Sequence, residues 1–361
     1  VWIMAYTTID DPSAYFQTTI YTGTGSSHAI TNGGNSNLQP DFVWIKGRSG
    51  DGDDSTEHAL TDSVRGVTKE LSTNDIGAVE TVAQGLTAFG SNGFTVGTDA
   101  SYNTSSATYV SWNWKASGST STNSDGDIDG TQTVDQTAGF SVTTYSGNGG
   151  SNQRLGHGLG VTPKIYILKR RDNNGQWVFV NTLIDGTLDY LFLETTGAKS
   201  NSGRTLPTSS VVYLENGGDA NESGGTHVMY AFAEKQGYSK FGSYTGNGNA
   251  DGAFVFCGFK PAFLLLKKSN SAGTFWYIFD NKRDGKNDGT GDVGGNRSLG
   301  AGNGNIYKEN VMSGYPMELL SNGFKWRGTS NQQNGSGDTY IFMAFAEQPF
   351  VTSTGVPATA R

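Results

Sequence analysis

The sequence predicts an all-β protein made of three tandem, diverged β-sandwich modules of jelly-roll-like form. Three observations predict it: markers that recur three times in the same order, strand-length apolar runs between them, and a composition rich in turn formers. Of 361 residues, 52 are Gly, with Asn, Ser and Thr abundant beside them. Gly reaches positive φ and Asn tolerates it, so the chain turns often and its elements are short. No segment keeps apolar residues at i, i+3, i+4 and i+7 for more than about two turns, which argues against long helices. The 16 Tyr, 19 Phe and 7 Trp argue against disorder, because large aromatics supply core material.

The opening marker is Tyr21-Thr-Gly-Thr-Gly25, then Tyr145-Ser-Gly-Asn-Gly149, then Tyr244-Thr-Gly-Asn-Gly248. A proline and an apolar strand follow each time, from Pro40, Pro163 and Pro261 to Lys46, Lys169 and Lys267. Proline at a strand start loses no needed donor. These strands are almost continuously apolar, which predicts cover on both faces. The closing marker is Thr108-Tyr-Val-Ser-Trp-Asn-Trp114, matched by Thr226–Phe232 and Thr339–Phe345. In the first of these, Trp112 and Trp114 alternate with Ser111 and Asn113, which predicts one buried face. Asn-Gly at 92–93 and 322–323 predicts tight turns, with Glu215-Asn-Gly-Gly218 as a degenerate counterpart.

Modules are therefore expected at residues 1–116, 139–235 and 236–361. Residues 117–138, mostly Ser, Thr, Gly and Asp, read as a linker. The short join from Glu234 to Gly242 carries Tyr238 and Phe241. It predicts that the second and third modules pack more firmly than the first and second.

A net charge of −8 and a pI near 5.0 argue against nucleic acid and anionic membranes, which need clustered cations. The dense basic run Lys169-Arg-Arg171 reads as a solvated strand edge. Cys257 is the single cysteine and sits in an apolar run, so it is expected buried and inert. No apolar run is long enough for a membrane helix, and no secretory signal is visible.

Catalytic patterns are weak. His28, His58, His157 and His227 lack zinc spacing, and no nucleophile elbow or phosphate loop is present. His58 and Asp62 are spaced to pair. His157 reads as a residue satisfying local backbone groups. His227, in the place of Tyr109 and Tyr340, reads as packing. Many carboxylates leave glycoside cleavage open without pointing to a pair. Asp125, Asp127 and Asp129 match the start of a calcium loop, making Ca2+ the one candidate cofactor, but the twelfth position is Gln136 instead of Glu. Asp51-Gly-Asp-Asp54 is a weaker match. The ligand-binding candidates are aromatics that could present a face to a sugar: Trp177, Trp276 with Tyr277, and Trp326 with Arg327. Trp177 and Trp276 hold matched positions, so the competing reading is a core aromatic required by the repeat.

The opening Met4-Ala-Tyr-Thr-Thr-Ile-Asp-Asp-Pro-Ser13, the Tyr-Thr-Gly-x-Gly markers, His157-Gly-Leu-Gly-Val-Thr-Pro163 and Gly237-Tyr-Ser-Lys-Phe-Gly-Ser-Tyr-Thr-Gly-Asn-Gly248 resemble a family of tail-associated structural or tail-fibre proteins of marine bacteriophages. The resemblance runs from Met4 to about Phe350 and brings no catalytic residue. It implies that Met4 is the natural start. It also implies a non-enzymatic virion protein, made in the host cytoplasm and acting on the virion surface, that contacts the host as a tail fibre or appendage. The expected partners are other virion proteins, further copies of the chain (a trimer favoured) and a host surface glycan, with no nucleic acid and no membrane insertion. The alternatives are a capsid decoration or other purely structural assembly protein, and a glycan-cleaving enzyme.

Overall fold

The computed structural model describes residues 5–49, 56–283, 297–301, 310–311 and 317–358, with backbone alone at 297–301 and 310–311. The chain is all-β, with antiparallel sheets and, among the described residues, one short α-helix, Ala100–Asn103, and one 3-10 turn, Pro12–Ala14. Each repeat pairs a large sheet with a small one. The first large sheet runs, in spatial order, Phe16–Thr22, Thr108–Trp114, Phe42–Ser49, Ala59–Asp62, Lys69–Ser72 and Glu80–Thr81. The third repeats this order with Ser239–Thr245, Thr339–Pro349, Phe259–Lys268, Trp276–Asp280, Arg297–Ala301 and Asn310–Val311. The second does so with Phe140–Ser146, Thr226–Phe232, Ile165–Arg170, Val178–Asn181, Asp189–Phe192 and Ser200–Asn201. The small sheets are His28–Thr31, Gly93–Val96 and Leu86–Gly90; Gln153–Gly156 and Val211–Leu214; and Phe254–Phe256, Gly323–Trp326 and Met317–Leu320.

The opening marker has a steric cause. A Cβ on Gly23, Gly147 or Gly246 would lie 2.1, 2.2 or 2.3 Å from the carbonyl oxygen of Thr104, Glu222 or Gly335. The following Gly25, Gly149 and Gly248 take φ of +70°, +73° and +64°, where glycine is unstrained. Their N–H groups donate to the carbonyls of Asn103, Asn221 and Asn334. The side-chain amides of these three asparagines accept from Thr24, Asn148 and Asn247. The marker tyrosine stacks on the second residue of the closing strand: Tyr21 on Tyr109 at 5.1 Å, Tyr244 on Tyr340 at 5.1 Å, and Tyr145 on His227 at 5.2 Å. His227 thus replaces a tyrosine ring in a stack, the packing role its position suggested.

Between its two sheets each repeat has its own core, including Ile45, Phe94 and Tyr109 in the first, Leu155, Leu168 and Met229 in the second, and Leu266, Phe324 and Phe342 in the third. The opposite faces of the three large sheets pack on one another. Phe16, Trp112 and Trp114, then Phe140, Tyr230 and Phe232, then Phe263, Met343 and Phe345, belong to one continuous apolar cluster. Each repeat touches both others: Phe42 meets Tyr230 at 5.0 Å, Phe179 meets Trp276 at 4.7 Å, and Phe16 meets Phe345 at 5.4 Å. Each such ring contributes about 1.5–3 kcal/mol by burial.

This shared core explains why the proline-led strands are covered on both faces, as predicted. It corrects the expectation for the closing strand, where Ser111 and Asn113 are buried as fully as Trp112 and Trp114. The core that joins the second repeat to the third also joins the first to both. Residues 117–138, read from composition as a linker, carry two strands, Ser121–Asn123 and Gly130–Asp135, that extend the second large sheet beyond Phe140–Ser146. Pairing along an edge needs backbone groups more than apolar side chains, so a polar segment can do it.

Candidate functional site

The structure places the candidate aromatics inside the protein. Trp177, Trp276 and Trp326 are each 1% exposed and Tyr277 is 7% exposed, which corrects the sugar-platform reading: no ring face is open to a ligand. Trp177 Nε1 donates to the carbonyls of Ser72 and Asp75 in the first repeat. Trp276 Nε1 donates in the same way to Phe192 in the second. Both rings therefore seal a seam between repeats. Trp326 packs edge-on against Phe279 and Phe324 within the third core, and the Tyr277 hydroxyl donates to Gln332 Oε1. Arg327 reaches the surface, where Glu318 and Asp251 hold it at 2.8 and 3.3 Å.

The calcium reading is corrected as well. Asp127 is engaged by Arg154, whose guanidinium lies 2.7 Å from Oδ1 and whose N–H donates to Oδ2. These hydrogen bonds bring its carboxyl down to about 2. Asp125, Asp127 and Asp129 do not converge, and among the described residues no group of three His, Cys, Asp or Glu could hold a metal. Asp51-Gly-Asp-Asp54 lies outside the described residues. Lys169, expected at a solvated edge, is fully buried, with Nζ donating to the carbonyls of Ile76 and Gly175. Cys257 is buried, and burial pushes its thiol upward.

What the fold does bring together lies at the seams. Asp62 and Arg65 of the first repeat form a buried ion pair, and Arg65 also donates to Leu60 O at 3.0 Å. Tyr230 of the second repeat donates to Asp62 Oδ2 at 2.7 Å. In the third repeat Asp280 and Arg283 form the same buried pair, Arg283 donates to Ile278 O at 2.8 Å, and Trp112 of the first repeat donates to Asp280 Oδ2 at 3.1 Å. By strand register the matching positions of the last seam are Asn181 and Ile184 in the second repeat and Met343 in the third. Donor, carboxylate and counter-ion are replaced together there, as expected if a buried charge is tolerated only when paired.

One family model, described as a domain of unknown function, DUF7483, matches residues 11–349 in a single span. The chain belongs to the DUF7483 family. No curated protein and no solved structure matches it. The DUF7483 unit covers all three repeats, in keeping with a core that all three share.

Two surface features of this DUF7483 chain escaped the sequence reading. A cleft of about 250 Å3 in the first repeat is lined by Glu57, Glu70, Asp75, Glu80 and Asp99. Burial raises the Glu70 carboxyl to about 7, against the hydrogen bond it accepts from Tyr102 at 2.6 Å. A second cleft, of about 370 Å3, runs along the free edge of Phe16–Thr22 against the third repeat. Neither has a local motif, because its residues come from separate strands.

Proposed function

We propose that this protein is a non-catalytic structural component of a virion, part of a tail fibre or similar appendage. The observation that carries the reading is the use of its chemistry-bearing side chains: Trp112, Trp114, Trp177, Trp276 and the two Asp–Arg pairs are spent inside, locking three repeats into one body. The phage-like sequence motifs, which run from Met4 to about Phe350, support the virion assignment. Within it, burial of Trp177, Trp276 and Trp326 favours assembly with other virion proteins over direct sugar binding. The three-membered packing expected between chains is already present within one chain, so a trimer of chains would add a second level of assembly. Cryo-electron microscopy of particles carrying the chain tests the reading. Density at the tail periphery supports an appendage, a closed layer on a capsid or tube points to a decoration, and absence from particles sinks the assignment.

The glycan-cleaving alternative has one observation in its favour, the acidic cleft with Glu70 held near neutrality. A carboxyl poised there could act as a general acid. Polysaccharide hydrolysis by the full chain, abolished in Glu70→Gln, would establish it.

A further inference from the structure

The three repeats create three equivalent seams, each between a repeat's edge strand and the neighbouring repeat, and the chain treats them differently. In the second repeat the edge strand Phe140–Ser146 is paired by Gly130–Asp135, with Val142 opposite Thr133 and Thr144 opposite Thr131. The same segment bridges Ile128 to Leu155 of the small sheet, closing the open side of that sandwich. In the third repeat the edge strand Ser239–Thr245 also borders a cleft, of about 440 Å3, but is blunted at Phe241. Glu234 accepts from the outward N–H of Phe241 at 2.8 Å and is itself held by Lys164 and Lys240 at 2.8 and 3.2 Å.

Among the described residues the first repeat has neither device. Gly23 N donates to Ala107 O and Lys115 N to Tyr15 O, so the odd-numbered residues between them bond to the closing strand. Phe16, Thr18, Ile20 and Thr22 therefore turn their backbone groups outward. Among the described residues nothing pairs with those of Thr18 and Ile20. The strand Phe-Gln-Thr-Thr-Ile-Tyr-Thr carries no charge and no proline, the usual guards of a free edge. The adjoining cleft also holds orphaned polar atoms. Thr18 is 6% exposed and its Oγ1 has no partner, and neither has Asn281 Oδ1 on the opposite wall.

We propose that the edge Phe16–Thr22 is a docking site for an extended segment of a partner protein, added as a further strand. The filled seam indicates the chemistry of the occupant. There the chain uses Ile128-Asp-Gly-Thr-Gln-Thr-Val-Asp135, small and hydroxyl residues between aliphatics, flanked by carboxylates. The open cleft offers Lys282 to such a carboxylate, its own Glu347 being paired with Lys260 at 3.0 Å, and threonine hydroxyls to such side chains. The third repeat walls the cleft through Ala262, Asn281, Lys282 and Ala346, and this wall favours a lone strand over the edge of a second copy's sandwich. Backbone pairing supplies affinity in this mode and alternate side chains supply selectivity.

The test uses the full chain and a synthetic peptide of residues 128–136. Saturable binding is expected, with amide exchange at Thr18 and Ile20 slowed about tenfold or more. Ile20→Lys, at a position 45% exposed, should abolish binding, and Ser243→Lys on the blunted edge should not. Thr22→Lys, also at an exposed position, serves as a second variant should Ile20→Lys fold poorly. No binding up to about 1 mM, or binding untouched by both variants, overturns the proposal. So does new protection at Val142 and Thr144 alone, which would mean strand exchange in the filled seam. Concentration-dependent dimers of the chain, lost in Ile20→Lys, would assign the edge to a second copy and overturn it too. The inference stands on seam geometry: failure of peptide binding leaves the virion reading untouched, and failure to find the chain in particles leaves the docking site untouched.

Discussion

The Tyr230 hydroxyl of the second repeat rests 2.7 Å from Asp62 Oδ2 of the first, on a carboxylate already paired with Arg65. Removing the hydroxyl with Tyr230→Phe should cost about 1.5–3 kcal/mol, the worth of a hydrogen bond to a charged group. Asp62→Asn should cost more, about 3–5 kcal/mol, because it strands a buried guanidinium. Denaturant titration of the two variants and their double mutant measures both. A double mutant no worse than Asp62→Asn alone is the expected outcome.

A core shared by all three repeats predicts one unfolding event. Calorimetry should give a single transition with equal calorimetric and van't Hoff enthalpies. The second repeat expressed alone should stay unfolded, since Phe140, Tyr230 and Phe232 would face water. Three separable transitions would contradict the shared core.

Trp177→Ala and Trp276→Ala should each lower stability by about 3–5 kcal/mol, the usual cost of deleting a buried ring. Chemical denaturation checks this. A neutral effect would return these residues to the surface roles their sequence context suggested.

Stability should pass through a minimum in pH. Burial raises Glu70 and Glu194 from 4.5 to about 7, so between those values the folded state binds more protons and stability falls as pH rises. Burial lowers Lys169 and Lys267 from 10.5 to about 8, so above about 8 the unfolded state binds more protons and stability recovers. These four groups therefore place their combined minimum near pH 7–8. Thermal melts across pH should show Glu70→Gln removing about 3 kcal/mol of the acid-side fall, and Lys267→Met removing part of the alkaline rise.

Calcium should leave the melting temperature unchanged to within about 1 °C, since no group of three His, Cys, Asp or Glu among the described residues could hold it and a cation that binds nothing folded confers no stability. Asp127 is already engaged by Arg154. A rise in melting temperature with millimolar calcium, reversed by chelation, would refute this.

The repeats, their order and their strand character were legible because each marker has a local cause. Gly23, Gly147 and Gly246 meet a carbonyl, and Tyr21, Tyr145 and Tyr244 meet a ring in the closing strand. The central core was half legible: continuous apolar runs said that both faces are covered, but not that the cover is another repeat. Ser111 and Asn113 misled because polar residues normally mark solvent, whereas here Asn113 Nδ2 bonds to the carbonyl of Gln17 inside the protein. The segment 117–138 misled because edge pairing is a backbone matter that composition does not report. The matched spacing of Trp177 and Trp276 was itself the signal of a seam. A surface ligand would not require the same ring at the same register in two repeats.

Fusing the copies has a consequence for valence. A homotrimer of a single repeat must offer three identical seams, all shut or all open. One gene carrying three copies can mutate them separately: it stopped one with its own strand, guarded one with Glu234 and, among the described residues, left one unpaired. An assembly with near-threefold packing can thereby present a single socket, and the number of neighbours it accepts becomes a matter of sequence instead of symmetry.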